Sequence, residues 1–195
     1  MSLSNAPKDP SLFPKRVYLT GYMGAGKSTV GKLLAKTLGY SFIDTDHHIV
    51  ETVGKSIPDI FAQNGEPFFR ETELNTLRTL SQQQYAVIST GGGTLTRDEA
   101  WEIVQPSGCS IYLAAPVEIL FERVIFSPKD RPMVDVPNAE EQFKTRFMQR
   151  EPHYLRADFM VMTAHRQTSE IVDEIAQRLK GLNQKKTVNQ DEMIP

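Results

Sequence analysis

The chain has 195 residues, 39% hydrophobic and 24% charged, which suits one globular domain with a sizeable core and excludes a disordered or fibrous protein. Its net charge of −2 disfavours a nucleic-acid binder, and no apolar stretch approaches the ~18 residues that a membrane span requires. The single cysteine, Cys109, excludes an intramolecular disulfide, and the leader over residues 1–15 has no apolar signal-peptide core. We therefore expect a cytoplasmic protein that binds neither nucleic acid nor membranes.

Five short apolar runs predict the strands of the domain. They cover residues 17–20, 41–43, 85–89, 110–114 and 159–162 and are rich in β-forming residues. Helix-like segments lie between them, and strands that alternate with helices are typical of a parallel sheet covered on both faces. The sequence therefore predicts a three-layer α/β/α fold.

Apolar side chains at helical spacing mark three of the helices. These stripes are Val30, Leu33, Leu34 and Leu38; Leu74, Leu77 and Leu80; and Ile171, Ile175 and Leu179. Gly181 is predicted to end the last helix, so the domain is expected over residues 16–181, with a disordered tail over 182–195. The proline-rich and charged stretch 127–137 fits neither element and is predicted to be an exposed lid loop.

The most specific motif is GYMGAGKS, which follows the first strand directly and precedes the first helix. It matches the GxxxxGK[ST] pattern of a phosphate-binding loop, in which glycine N–H groups and the helix dipole face phosphate oxygens. We expect it to bind a nucleotide, with Lys27 reaching the β- and γ-phosphates and the Ser28 hydroxyl binding Mg²⁺. The residues predicted to bind the nucleotide here are Gly24, Ala25, Gly26, Lys27, Ser28 and Thr29.

Two carboxylates end the second predicted strand, at Asp44 and Asp46. If the chain is still extended there, both point to the same side, at the edge of the sheet where α/β proteins bind ligands. One could hold hydrated Mg²⁺, and the other could accept a proton from an attacking hydroxyl. The alternative is that Asp46 simply caps the next helix.

Glycines and arginines supply the remaining candidates. Three glycines, Gly91, Gly92 and Gly93, follow the third strand and either let a ligand approach the backbone or form a flexible turn. Arginines suit the capture of carboxylate or phosphate, although a single arginine is more often a solvated surface residue. The arginines in question are Arg70, Arg131 and Arg150. The adjacent His47 and His48 point about 100° apart on a helix, so we reject them as a metal site.

Together these motifs resemble the shikimate kinase family. GYMGAGKST, FIDTD, FRETE, GGG, RPM and REPHY occur in that order across residues 17–179. The resemblance implies a P-loop fold with a five-stranded parallel sheet in the order 2-3-1-4-5, a substrate-binding helical insertion and a lid. It also implies transfer of the ATP γ-phosphoryl to the 3-hydroxyl of shikimate, in aromatic amino-acid biosynthesis, by a protein expected to be a monomer.

The resemblance also assigns roles to the candidate residues. Catalysis would involve Lys27, Asp46 as base, and Arg131 on the lid; Mg²⁺ would bind Ser28 and, through water, Asp44. Shikimate would be held by Asp46, by a carboxylate clamp of Arg70 and Arg150, and by the backbone of Gly91, Gly92 and Gly93. Glu73 would brace Arg70. Arg123 and Arg131 would contact ATP.

Two departures from the family pattern concern the nucleotide base. The lid has one residue more than expected between Arg123 and RPM, and Met162 stands where an acidic residue is common. Two alternative functions stay open at this point: another P-loop metabolite kinase, such as one for gluconate, and a catalytically silent binding module. The second should have lost Lys27, Asp46 or Arg131, and the chain has all three.

Overall fold

Five parallel strands form the centre of the molecule in the computed structural model, which describes residues 12–127 and 138–191. The strands are Arg16–Thr20 (β1), Ser41–Asp44 (β2), Ala86–Ser89 (β3), Cys109–Ala114 (β4) and Phe159–Met162 (β5). Their order is β2-β3-β1-β4-β5, as the family resemblance implied, and each predicted strand is present to within one residue at either end. The parallel order places the carboxyl ends of all five strands along one edge, where ligands of such folds bind.

Seven helices connect and cover the strands within the described residues. They are Lys27–Leu38 (α1), Thr45–Val53 (α2), Ile57–Leu80 (α3), Asp98–Ser107 (α4), Val117–Ile125 (α5), Ala139–Tyr154 (α6) and Thr168–Asp191 (α7), with a short 3-10 turn at Thr94–Thr96. None of them, over the described part of the chain, is both long and apolar enough to cross a membrane.

The helices bury two separate apolar cores, one on each face of the sheet. On one face α1 and α7 pack together, α1 against β1, β2 and β3 and α7 against β5, and the predicted stripe of α7 is buried. On the other face α3 and α4 cover β1 and β3, with Trp101 fully buried. The three-layer α/β/α fold is therefore confirmed.

The predicted apolar stripe of α1 differs in one residue from the buried face. Leu33 is only half-buried, whereas the small residues Gly31 and Ala35 of α1 are buried.

Helix α3 carries a break that the sequence analysis did not predict. Gly65 has φ 79° and ψ 169°, a conformation that side chains disfavour, and Pro67 follows it. A third, small core of Ile49, Ile60 and Phe69 joins α2 to the two halves of α3. The break separates the second half of α3, which carries Arg70, from the first half.

The predicted end of the last helix at Gly181 is wrong. Helix α7 continues to Asp191, so the backbone over 182–191 is helical, while the predicted disorder of the tail stays a prediction. Gly181 does not have a positive φ, and an exposed glycine within a helix costs only about 1 kcal/mol relative to alanine. One unfavourable residue therefore does not end a helix whose preceding turns are anchored on the sheet.

Other predicted segments lie partly or wholly outside the described residues. These are the leader up to residue 11, the lid from residue 128 to 137 with Arg131, and residues 192–195 of the tail. Their predictions stay predictions.

Candidate active site

The loop between β1 and α1 has the backbone geometry of a phosphate cradle. Gly21, Gly24 and Gly26 have φ values of 139°, 82° and 89°, which glycine adopts without strain. A Cβ atom at Gly21 would lie 2.6 Å from the carbonyl oxygen of Leu113, and one at Gly24 would lie 2.6 Å from that of Leu120. Two of these glycines are thus required by close packing as well as by backbone conformation.

The first two residues of α1 are oriented by this loop. The Lys27 Nζ donates hydrogen bonds to the carbonyl oxygens of Gly21, at 2.7 Å, and Tyr22, at 3.1 Å, so its ammonium group lies across the loop. The Ser28 hydroxyl donates to Asp44 Oδ2 at 2.8 Å. A cation, a hydroxyl and a carboxylate therefore lie together at the N-terminus of α1.

The two aspartates have different surroundings. Helix α2 begins at Thr45, so the chain between the aspartates is not extended, contrary to the premise of the sequence analysis. Asp44 is the residue that caps α2: its Oδ1 accepts hydrogen bonds from the backbone N–H groups of Asp46, at 3.2 Å, and His47, at 3.4 Å. The alternative that Asp46 is the helix cap is therefore wrong.

Asp46 does not cap a helix, and its carboxylate lines the cleft between the phosphate loop and the glycines after β3. Burial, reinforced by the Asp44 and Glu73 carboxylates, raises the pKa of Asp46 from 3.8 to about 6, while Lys27 and Arg70 act in the opposite direction. Desolvation and like charge both disfavour the carboxylate form. Asp46 is thus a stronger base than an exposed aspartate and is still mostly ionised at pH 7.

The three glycines after β3 form a defined turn and not merely a flexible one. The Gly91 N–H donates to the Thr45 hydroxyl at 2.9 Å, and a Cβ at Gly91 would lie 2.5 Å from Asp46 Oδ1. A Cβ at Gly93 would lie 3.0 Å from Arg70 Nη1. The missing side chains allow a carboxylate and a guanidinium to approach the turn from opposite ends.

Arg70 is held from both sides by carboxylates. Its Nη1 donates to Glu73 Oε2 at 2.6 Å, and its Nε and Nη2 both donate to Glu66 Oε1, at 3.1 and 3.0 Å. Glu73 is 4% exposed and Glu66 is 63% exposed, so the first pair is the stronger one. The brace between Glu73 and Arg70 that the resemblance implied is present.

Arg150, on α6, reaches the same turn from the other side. Its Nη1 donates to the Gly92 carbonyl at 3.4 Å, its guanidinium lies 5.7 Å from the centre of the Tyr22 ring, and its Nη2 is 3.7 Å from a Cβ built at Gly93. The structure thus brings Arg70 and Arg150, which are 80 residues apart in the sequence, to the same glycine. Two guanidinium groups that converge in this way suit a carboxylate.

Arg123, on α5, contacts the phosphate loop. It donates to the carbonyl oxygen of Gly24, at 3.3 Å, and to the hydroxyl and carbonyl oxygens of Thr163, at 3.0 and 2.7 Å. These bonds join the phosphate loop to the end of β5. Met162, the departure noted in the sequence, is 43% exposed and does not line the cleft.

One cleft of about 670 Å³ connects most of these groups. It is lined by the phosphate loop, Asp44, Asp46, Gly91 to Gly93, Arg123 and Arg150, among others. Arg70 lines a neighbouring groove and meets this cleft through Gly93. Arg131 lies outside the described residues, so its predicted position is not tested.

Three further side chains support the site without having been singled out from the sequence. The Tyr154 side chain is fully buried, and its hydroxyl donates to the Gly92 carbonyl at 2.5 Å. The Thr94 hydroxyl donates to Glu73, and the Thr163 hydroxyl accepts from Arg123. Tyr154 lies one helical turn after Arg150, and that spacing was available as a signal. The two threonines carry no sequence signal, because their partners come from distant elements.

Comparisons with known proteins give one consistent result. The family model for shikimate kinase matches residues 23–180. The shikimate kinase of Chlorobaculum parvum is 40% identical over 172 residues, which cover 84% of this chain and 91% of that protein. The shikimate kinase of Acinetobacter baumannii, solved in complex with shikimate, aligns with a TM-score of 0.78 at 36% identity, covering 85% of this chain and 92% of that one.

A more distant neighbour bears on the alternative functions. A gluconokinase from Sinorhizobium meliloti aligns with a TM-score of 0.61 at 19% identity and covers 91% of this chain and 98% of that chain. An identity this low shows a common fold and carries no information on the acceptor.

Proposed function

The chain belongs to the shikimate kinase family, and from that membership we propose how its own side chains phosphorylate shikimate with ATP. The reaction transfers the γ-phosphoryl of ATP to the 3-hydroxyl of shikimate and leaves ADP and shikimate 3-phosphate. Such transfers depend on positioning and on charge stabilisation more than on covalent chemistry with the protein.

Asp46 is the group that receives the proton of the attacking hydroxyl. Its pKa of about 6 keeps it ionised at neutral pH and makes it a better acceptor than an ordinary aspartate. Its carboxylate lies against Gly91, at the border between the phosphate loop and the glycine turn. A hydroxyl bound there would face both the base and a γ-phosphate held by Lys27.

The acceptor carboxylate binds between Arg70 and Arg150. The convergence of these two guanidinium groups on Gly93, beside the carboxylate of Asp46, is the observation that carries the proposal. It supplies a cationic end for an acid and, a short distance away, a base for a hydroxyl. An acceptor with both groups on a small ring fits this arrangement.

The residues at the N-terminus of α1 suit a magnesium ion bound with ATP. Ser28 and Asp44 present two hard oxygen ligands 2.8 Å apart, and no cluster of three or more metal-ligating side chains occurs in the described ranges. Mg²⁺ prefers such a partial set, completed by phosphate oxygens and water. When bound, the ion supplies positive charge that neutralises the phosphates, and Ser28 and Asp44 would hold it.

The nucleotide binds over the phosphate loop, from Gly24 to Thr29, with Arg123 beside its base and Arg131 reaching it from the lid. Arg123 supports this role through its bonds to Gly24 and Thr163 at the edge of the cleft. We propose that the protein is a cytoplasmic monomer.

An assay of ADP release with a panel of hydroxy acids tests the proposed function. Shikimate should be the best acceptor, with gluconate and neutral polyols much poorer. Turnover of gluconate at a comparable kcat/KM would favour the alternative kinase, and the absence of ADP release with every acid would favour a silent binding module.

A further inference from the structure

The buried carboxylate of Glu73 has two partners, one on each oxygen. Oε2 accepts from Arg70 Nη1 and Oε1 accepts from the Thr94 hydroxyl, both at 2.6 Å. Glu73 is 4% exposed and Thr94 is 2% exposed. A buried carboxylate needs such donors, because burial without them costs several kcal/mol. The ion pair with Arg70 satisfies only half of that need.

Thr94 is itself held in place by the glycine turn. It begins the 3-10 turn directly after Gly93, and its N–H donates to the Gly91 carbonyl at 3.1 Å. A Cβ at Gly91 would lie 2.9 Å from Thr94 Oγ1 and 2.5 Å from Asp46 Oδ1. The threonine hydroxyl and the proposed base therefore contact the same glycine position.

The partners of Arg70 leave a defined set of donors for a ligand. Of its five N–H groups, Nε and one on Nη2 bond to Glu66, and one on Nη1 bonds to Glu73. One N–H on each terminal nitrogen has no partner among the described residues. Two such groups, one on each terminal nitrogen, can donate to the two oxygens of a carboxylate.

We infer that Thr94 is a positioning residue for the acceptor site: its hydroxyl orients Glu73, and Glu73 orients the free end of Arg70 toward the substrate carboxylate. This inference rests on the proposed function. Without the hydroxyl, Glu73 can rotate about its terminal bond, and the direction in which Arg70 presents its two free N–H groups is no longer set. The same threonine ties that orientation to the turn beside Asp46.

Thr94→Val tests the inference because valine keeps the shape of threonine and removes the hydroxyl. We expect the KM for shikimate to rise about tenfold, the effect of one hydrogen bond to a charged group, while the KM for ATP changes less than about twofold. Thr94→Ser, which restores a hydroxyl, should return the KM for shikimate to near the wild-type value. Thr94→Ala gives a second measurement should the valine variant fold poorly.

The matched control is Thr96→Val, in the same 3-10 turn. The Thr96 hydroxyl donates to the Gly93 carbonyl at 2.7 Å and does not reach Glu73. This variant should keep the wild-type KM for shikimate. If Thr96→Val and Thr94→Val raise the KM equally, the hydroxyls merely stabilise the turn, and the inference is overturned.

A double variant separates orientation of Arg70 from a general loss of packing. In Arg70→Lys the fork is gone, so adding Thr94→Val should raise the KM for shikimate by much less than it does in the wild type. Effects that multiply independently would overturn the inference. If the wild type phosphorylates shikimate and Thr94→Val leaves the KM for shikimate unchanged, this inference alone is overturned. If the wild type is inactive on shikimate, the proposed function is overturned.

Discussion

Asp44 and Asp46 are two residues apart, and their surroundings differ. Asp44 accepts three hydrogen bonds, two from backbone N–H groups and one from Ser28, so both of its oxygens are held in place at the N-termini of α1 and α2. Burial and the charge of Asp44 raise the pKa of Asp46 to about 6. This contrast supports the proposal that Asp44 holds the magnesium ion and that Asp46 is the base.

Asp46→Asn should lower kcat by about a hundredfold or more, because the amide keeps the shape and loses the basicity. In the wild type, kcat/KM should rise with pH through an apparent pKa near 6, since the ionised form of Asp46 is the active one. Steady-state kinetics between pH 5 and pH 8 check both points. A variant with unchanged kcat would remove Asp46 from the catalytic residues.

Arg150→Lys tests the carboxylate clamp. An ammonium group does not reproduce a planar two-pronged contact, so the KM for shikimate should rise about 10- to 100-fold. The dissociation constant for ATP, measured without shikimate, should change little, because Arg150 lies on the acceptor side of the transferred phosphoryl.

A shikimate analogue that lacks the carboxylate is the control for this assignment. It should be a poor substrate of the wild type and should lose little more activity with Arg150→Lys, because the substitution and the analogue remove the same interaction. If the two losses multiply, Arg150 does not contact the carboxylate.

The strands were predictable from continuous apolar runs, and the helices from apolar residues at helical spacing. All five strands are present where short apolar runs predicted them. The central strands β1, β3 and β4 are buried nearly throughout, as a strand covered on both faces should be, whereas the edge strands β2 and β5 are partly exposed. The break at Gly65 and the continuation of α7 through Gly181 were not predictable in the same way. A glycine permits a break without requiring it, and the packing of neighbouring elements decides which occurs.

Gly91, in the turn after β3, and Gly181, in α7, make a matched pair of glycine-to-alanine substitutions. Gly91→Ala would place a Cβ 2.5 Å from Asp46 Oδ1 and 2.9 Å from Thr94 Oγ1, so the ends of both side chains must move. We expect kcat to fall about 10- to 100-fold with a small change in Tm, because displacing a base by about 1 Å disrupts catalysis more than packing. Assays of kcat and thermal unfolding on the same samples separate the two effects.

Gly181→Ala is the control for that substitution. A Cβ at Gly181 meets nothing within 4 Å, and the residue lies inside α7. Alanine there should leave kcat unchanged and stabilise the protein by about 0.5–1 kcal/mol. A loss of stability instead would argue against a helix that continues past residue 181.

The site as a whole was predictable in its residue types and not in its contacts. The phosphate loop, the aspartates and the arginines carry sequence signals because their chemistry restricts the residue type. The contacts between Thr94 and Glu73, and between Tyr154 and Gly92, join residues 21 and 62 positions apart. Only the fold brings such pairs together, so no local pattern indicates them.

The raised pKa of Asp46 also has a consequence for the stability of the free enzyme. Its pKa is about 6 in the folded protein and near 3.8 in the unfolded chain, so the folded state binds the proton more tightly. The stability due to that proton is fully present below about pH 4 and is lost as the pH rises through about 6. At neutral pH, the charged base therefore destabilises the folded state.

Asp46→Asn should accordingly stabilise the protein relative to wild type, and by more at pH 7.5 than at pH 4.5. The difference between the two pH values should be about 2 kcal/mol in the free energy of unfolding, measured by urea denaturation without ligands. Asp173→Asn, at an exposed position on α7, is the control and should show no such difference. If Asp46→Asn changes the free energy of unfolding equally at both pH values, the folded protein does not raise the pKa of Asp46. Its suitability as the base at neutral pH must then rest on contacts with the bound substrate.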